Sequence, residues 1–266
     1  MKRRLGNLEQ LLLAYTQMRG VSTLRTGELT SPLRLSAKQE RELLGRMTRA
    51  GLIARVRRGL YLVPPRLPLG GLWSPDPALA LATLIEDRGG RYQICGANAF
   101  NRYGFDNQVP NRIYAYNNRI SGDRRIGTVQ LNLIKVSDRR LGDTEEQLAA
   151  DGRVAIWSSR VRTLVDAVYD WSRFNGLPRA YQWIRQEIIK KRVDPADLVR
   201  VAIRYGDKGT LRRIGALLER EGIPDALLRK VERALPRTSG PIPWIPTARK
   251  RGPVSQRWGV VLNGDA

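Results

Sequence analysis

The sequence contains no histidine and a single cysteine, Cys95. Without histidine, the common zinc ligand sets, Ser-His-Asp and Cys-His nucleophile activation, and imidazole acid/base chemistry are all excluded. One cysteine cannot form an internal disulfide, which argues against a cross-linked secreted scaffold. Beside Gly96 it reads as a small buried hydrophobe rather than a nucleophile. No apolar run approaches the ~18 residues that a membrane helix needs, and Leu11 to Ala14 is too short for the apolar core of a signal peptide. A soluble, cytoplasmic protein without membrane association is expected. Carboxylates are sparse and scattered: Glu86-Asp87, Asp138 and Glu145-Glu146 do not form the clustered set that two-metal nucleases and nucleotidyltransferases use. No catalytic activity, cofactor or metal is therefore expected.

What the chain has in excess is positive charge. Its 266 residues carry 47 Lys and Arg against 25 Asp and Glu, a formal net charge of +22. Such a surplus suits a polyanionic partner. Nucleic acid is the commonest, because each neutralised phosphate releases condensed counterions and so drives binding. A hydrophobic share of 42% supplies the apolar surface for two ordinary domains.

Periodicity divides the chain further. Leu8, Leu11, Leu12 and Tyr15 fall on one face of a helix over Asn7 to Arg19, closed by Gly20. A short polar second helix is expected between Ser22 and Thr30, ended by Ser31-Pro32, since proline disfavours helical geometry in the residue before it. A third runs from Ala37 to Ala50, with Ser36 and Gln39 as a capping box and Gly51 as its stop. Its pattern places Leu43, Leu44, Met47 and Ala50 on one side, and Lys38, Arg41, Glu42, Gly45 and Arg49 on the other. Leu52 to Val56 and Leu60 to Val63 read as strands around the turn Arg57-Arg58-Gly59.

The fold class that follows is α+β. A winged helix-turn-helix over 1–66 precedes a larger mixed domain over 73–235 that ends in a helical region, and Pro64 to Leu72 serves as linker. The larger domain starts with a helix over Pro77 to Asp87. Strands follow over Arg112 to Asn117, Thr128 to Val136 and Arg153 to Trp157, and helices from Ser159 onward. The basic, proline-rich residues 236–266 read as a largely irregular tail, with at most an edge strand over Trp258 to Leu262.

In a helix-turn-helix the second helix of the motif lies in the major groove and offers its N-terminal side chains to base edges. Here that helix starts at Ser36 and presents Lys38, Gln39, Arg41 and Glu42, residue types able to read guanine, adenine and cytosine as well as bind phosphate. Arg57 and Arg58 would form the wing, and Arg46, Arg49 and Arg55 would add backbone contacts. Residues 1–66 hold 14 Lys and Arg against 4 Asp and Glu, so charge and motif coincide. The tail cations Arg237, Arg249, Lys250, Arg251 and Arg257 leave two readings open, a second nucleic-acid contact or a solubilising tail. Trp157, Trp171, Tyr181, Trp183 and Tyr205 fall in or beside apolar helical stripes and read as core rather than a base-stacking surface. Gly206-Asp207-Lys208-Gly209-Thr210 lacks Walker spacing and joins two helices, so it is not a phosphate loop of that type.

Four segments, taken in order, resemble a known family. Arg57-Arg58-Gly59-Leu60-Tyr61-Leu62-Val63 is similar to the wing of AbiEi-family proteins. Cys95-Gly96-Ala97-Asn98-Ala99-Phe100-Asn101-Arg102-Tyr103-Gly104-Phe105, leading to Gln108-Val109-Pro110, is similar to that family's Gly-x-x-Ala and Gln-Val-Pro patterns, and Ser159-Arg160-Val161-Arg162-Thr163-Leu164-Val165-Asp166 to its Ser-x-x-Arg-Thr-Leu helix start. The resemblance spans residues 5–235. It implies a DNA-binding antitoxin of a type IV toxin-antitoxin, or phage-defence, system that represses its own operon through promoter repeats. It also implies a partner toxin of the nucleotidyltransferase class, countered without a need for direct binding. A stand-alone winged-helix repressor, and behind it a nucleic-acid-processing enzyme, are the alternatives. Arg162 and Asp166, four apart on a helix, are expected to pair structurally.

Overall fold

A computed structural model describes residues 5–66, 72–148, 153–236 and 240–264. In chain order the first elements are α1 (Asn7–Arg19), β1 (Thr23–Arg25), α2 (Ala37–Arg49), β2 (Ala54–Arg57), β3 (Leu60–Leu62) and α3 (Pro77–Glu86). Next come β4 (Tyr92–Ile94), α4 (Gly96–Arg102), β5 (Ile113–Asn117), β6 (Gly122–Ile126), β7 (Val129–Lys135), β8 (Thr144–Leu148) and β9 (Val154–Ser158). The rest is α5 (Arg160–Tyr169), α6 (Trp171–Phe174), α7 (Arg179–Ile189), α8 (Pro195–Tyr205), α9 (Lys208–Arg220) and α10 (Asp225–Ala234), followed by β10 (Ile242–Pro243), β11 (Val254–Ser255) and β12 (Val260–Val261). The fold is mixed α+β, as the sequence indicates. No helix among the described residues is long and apolar enough to cross a membrane.

The chain forms two compact units, both discontinuous in sequence. One comprises Met1–Tyr92, Asn111–Val136 and Glu146–Ala155; the other comprises Gln93–Pro110, Ser137–Glu145 and Ile156–Ala266. The first unit therefore includes β5, β6 and β7 as well as the N-terminal helices. Of the expected linker at Pro64 to Leu72, residues 67–71 lie outside the described residues.

The first unit opens with a helix, a strand, a run of turns, a helix and a hairpin, its small sheet running β1-β3-β2 with antiparallel neighbours. Leu12, Leu13, Leu24, Leu29, Leu43, Leu44 and Met47 form its core. The helix expected over Ser22 to Thr30 is absent. Thr23 to Arg25 instead pair with Leu62 to Leu60, and residues 26–34 make successive turns. Gly27 at φ +103° and Arg34 at φ +51° depart from helical geometry on either side of Pro32. In the same unit β5 and β7 pair in parallel, and β6 lies antiparallel to β7. β6 starts at Gly122, whose φ is +93°.

The second unit is built around α5, which packs against α4, α7, α8 and α9. Its core joins Leu164, Val165 and Val168 to Tyr181, Ile184, Leu198, Ile214 and Leu218. The segment beyond residue 236 departs from the expected irregular tail. Arg237 lies outside the described residues, but residues 240–264 supply the three-stranded sheet β10-β12-β11 and two buried tryptophans, Trp244 and Trp258. Trp244 stacks on Tyr181 with ring centroids 3.8 Å apart, and Trp258 Nε1 donates to Glu219 at 2.9 Å. Arg212 of α9 holds the segment by its backbone, donating to the carbonyls of Trp258 at 2.7 Å and Gly240 at 2.9 Å. Large aromatic side chains gain more from burial than local proline content costs, so tertiary packing decides the outcome here.

Candidate nucleic-acid interface

The site is built on α2. Ser36 Oγ accepts from the backbone N–H of Gln39, while Gln39 Oε1 accepts from the N–H of Ser36 at 2.8 Å, closing the capping box. Leu43, Leu44 and Met47 anchor the inner face, each fully buried. A further anchor is polar and was not expected from the sequence. Glu40, with no exposed surface, accepts from the backbone N–H groups of Gly27 at 2.7 Å and Leu29 at 2.9 Å. Its carboxylate replaces the backbone acceptors that a regular helix would have supplied to these turns.

With the inner face fixed, the outer face of α2 is exposed at Ser36, Lys38, Gln39, Arg41, Glu42, Arg46 and Arg49. Among the described residues, no ion-pair partner neutralises Lys38, Arg41, Arg46 or Arg49. The capping box takes up the carbonyl end of Gln39, so only its amide group is left to reach outward. Gly45 lies in the middle of this face, and a Cβ built there meets nothing within 4 Å. The helix backbone is thus bare where a groove wall would approach it.

The hairpin divides its two arginines differently from the sequence expectation. Arg58 is exposed at the turn beside Gly59, whose φ is +82°. Arg57 is turned inward, donating from Nε to Asp87 at 2.5 Å, from Nη2 to the same carboxylate at 2.8 Å, and from Nη1 to the Arg58 carbonyl at 2.7 Å. Arg25 approaches Asp87 as well, at 3.0 Å. Hydrogen bonding to Arg57, reinforced by Arg25, holds the Asp87 carboxyl below the usual carboxylate range, although burial opposes this. Arg57, expected in the wing, thus already has a carboxylate in its fork while 39% of its side chain stays exposed.

Arg55 is exposed on β2 and lines a cleft of about 560 Å³ with Arg49, Trp73 and Arg125. Arg125 belongs to β6, and sequence reading did not single it out. It enters the site because β2 and β6 pack together within the unit.

The motifs behind the family resemblance have structural roles in the second unit. Gly96 at φ +57° lies so close to Phe174 that a Cβ would meet the ring at 2.2 Å, and Phe100 packs against Phe174 and Trp183. Ser159 caps α5, accepting from Arg162 N–H at 3.1 Å. Arg162 and Asp166 form the expected i, i+4 pair, with Nε 2.9 Å from each carboxylate oxygen and both residues buried. Arg140 joins the same carboxylate at 2.6 Å. The tail cation Arg257 pairs with Glu219, Asp225 and Glu232. The other described tail cations Arg249, Lys250 and Arg251 are exposed.

No protein-family model matches the chain, and no curated protein matches it in sequence. The chain is similar in fold to a solved structure. It is the crystal structure of the RV2827C protein from Mycobacterium tuberculosis, 16% identical, with a TM-score of 0.63 over 97% of this chain and 92% of that one. At this identity the likeness extends to the fold alone.

Proposed function

We propose that the chain is a DNA-binding antitoxin of the AbiEi kind, which represses its own operon through α2 and counters a nucleotidyltransferase-like toxin. The observation that carries the DNA half is the outer face of α2, with four exposed cations that have no ion-pair partner among the described residues, set on a helix fixed from behind by Glu40 and three buried apolar side chains. Pre-positioned arginines can read base edges, and lysine and the remaining arginines hold phosphates. The toxin half is supported by the ordered segments that resemble the family, from the Arg57 hairpin to Ser159–Asp166.

The test is fluorescence-anisotropy titration of the full-length protein with the duplex upstream of its own gene and with a scrambled duplex, across a range of salt. Tighter binding to the upstream duplex that persists at physiological salt is expected; equal, salt-labile binding to both would remove sequence-specific repression. Rescue of growth on co-expression with the product of the adjacent reading frame then separates an antitoxin from a stand-alone repressor.

A further inference from the structure

The second unit holds a concave site that the proposed function does not use. A cavity of about 580 Å³ opens between the turn over 137–140 and the junction of α8 and α9, and its lining includes Arg139, Tyr169, Arg204, Tyr205 and Lys208. Arg139, Arg204 and Lys208 are exposed, and none has an ion-pair partner among the described residues. Arg140 forms part of the wall, fixed by Asp166 at 2.6 Å and by the Tyr205 carbonyl, with its guanidinium 3.6 Å from the centre of the Tyr169 ring.

The lining holds one carboxylate, that of the exposed residue Asp207. Asp207 Oδ1 accepts from both the N–H and the hydroxyl of Thr210, each at 2.7 Å, and so caps α9. The N–H groups of Lys208 and Gly209, at the first two helical positions, have no intrahelical acceptor. Three cations, against the one carboxylate of Asp207 that caps α9, therefore line one concave volume. Like charges gathered in a recess repel one another unless an anion enters, and the volume falls within the range of small-ligand sites.

We infer that this cavity binds a phosphate-bearing ligand of nucleotide size, with Arg139, Arg204 and Lys208 contacting the phosphates. Guanidinium groups offer paired donors that match phosphate oxygens, and the ammonium of Lys208 adds a point charge. The Gly206–Thr210 segment thus holds phosphate without Walker spacing, through side chains gathered by tertiary packing. The tyrosines act as walls: Arg140 already covers one face of Tyr169 and Arg162 lies 4.0 Å from the Tyr205 ring centre.

Isothermal titration of the full-length protein with inorganic pyrophosphate, at constant ionic strength, tests this. Saturable binding is expected, weakened about tenfold or more in the Arg204→Ala/Lys208→Ala variant and changed less than about twofold in Lys38→Ala/Arg41→Ala. All the substituted side chains are exposed, and thermal unfolding of each variant verifies the fold. Competition by a nucleoside triphosphate or by a 5′-triphosphorylated trinucleotide then identifies the source of the phosphates. Absence of saturable binding, or binding lost in the α2 variant and kept in the cavity variant, would overturn the proposal. Neither result bears on DNA binding by the first unit.

Discussion

The guanidinium of Arg57 meets the carboxylate of Asp87 through two hydrogen bonds, 2.5 Å from Nε and 2.8 Å from Nη2. This pairing assigns different work to two adjacent arginines. Arg58→Ala is expected to weaken binding to upstream and scrambled duplexes alike and to lower the slope of log affinity against log salt by about one. Arg57→Ala should leave that slope unchanged and lower the melting temperature instead. Salt-dependent anisotropy and thermal unfolding of both variants check this, and equal slope losses would restore Arg57 to the interface.

Asp87 also gives the first unit an acid limit. Its folded-state pKa is lowered, so its contribution to stability is complete above the unfolded value of about 3.9 and disappears as pH falls through the folded one. Thermal unfolding between about pH 6 and pH 2 should show the wild type losing stability over acidic steps that Asp87→Asn lacks. Parallel curves for the two proteins would place the acid sensitivity elsewhere.

Gly45 separates stability from recognition. An alanine there meets no neighbouring atom within 4 Å and improves helix propensity, so Gly45→Ala should stabilise the fold by ~1 kcal/mol. If α2 lies in a groove, the larger Gly45→Gln side chain weakens duplex binding without unfolding the protein. Unchanged affinity in Gly45→Gln would show that no DNA contacts this face.

Glu40 should be among the costliest residues of α2 to remove. Its loss leaves the Gly27 and Leu29 N–H groups without an acceptor, and Glu40→Ala is expected to destabilise by about 2–4 kcal/mol in urea unfolding. Glu40→Gln retains an acceptor and should cost less. A cost within about 0.5 kcal/mol for alanine would mean that the turns after β1 find other partners.

In the second unit, Asp166→Ala strands two guanidinium groups, Arg140 and Arg162, and should cost about 3–5 kcal/mol. Replacing Arg162 and Asp166 together by Met and Leu should recover little of that loss, because Arg140 stays buried without its carboxylate and the Gly142 and Arg140 carbonyls lose their donor. Chemical denaturation of the single and double variants provides the comparison.

Local signals in the sequence located what local chemistry controls. The capping box at Ser36 and Gln39 and the stop at Gly51 mark α2, and of its exposed cations Lys38, Arg41 and Arg49 are ones its periodicity places outward, whereas Arg46 is not. Proline at Pro77 and Pro195 likewise marks the starts of α3 and α8. The misses depend on distant partners. Thr23 to Arg25 become a strand only because Leu60 to Leu62 lie alongside, and a three-residue strand carries almost no pattern of its own. The charge of Arg57 is visible in sequence, whereas its carboxylate is 30 residues further on. Glu40 falls on the same helical stripe as Leu43, Leu44 and Met47, but the turns that donate to its carboxylate there carry no sequence signal of their own. Trp244 and Trp258 stand among prolines and arginines, and only the helices they pack against reveal them as core.

Because both compact units interleave along the chain and Trp258 completes the core of the second, the order of synthesis on the ribosome matters. The first unit cannot close until residues 146–155 have left the exit tunnel, by which time Gln93 to Pro110 of the other unit are already exposed. The second stays open until residues 258–261 emerge, leaving the apolar faces of α5, α7 and α9 uncovered in the meantime. The nascent chain therefore exposes apolar core surface until its last segments emerge, the condition under which incompletely folded chains associate.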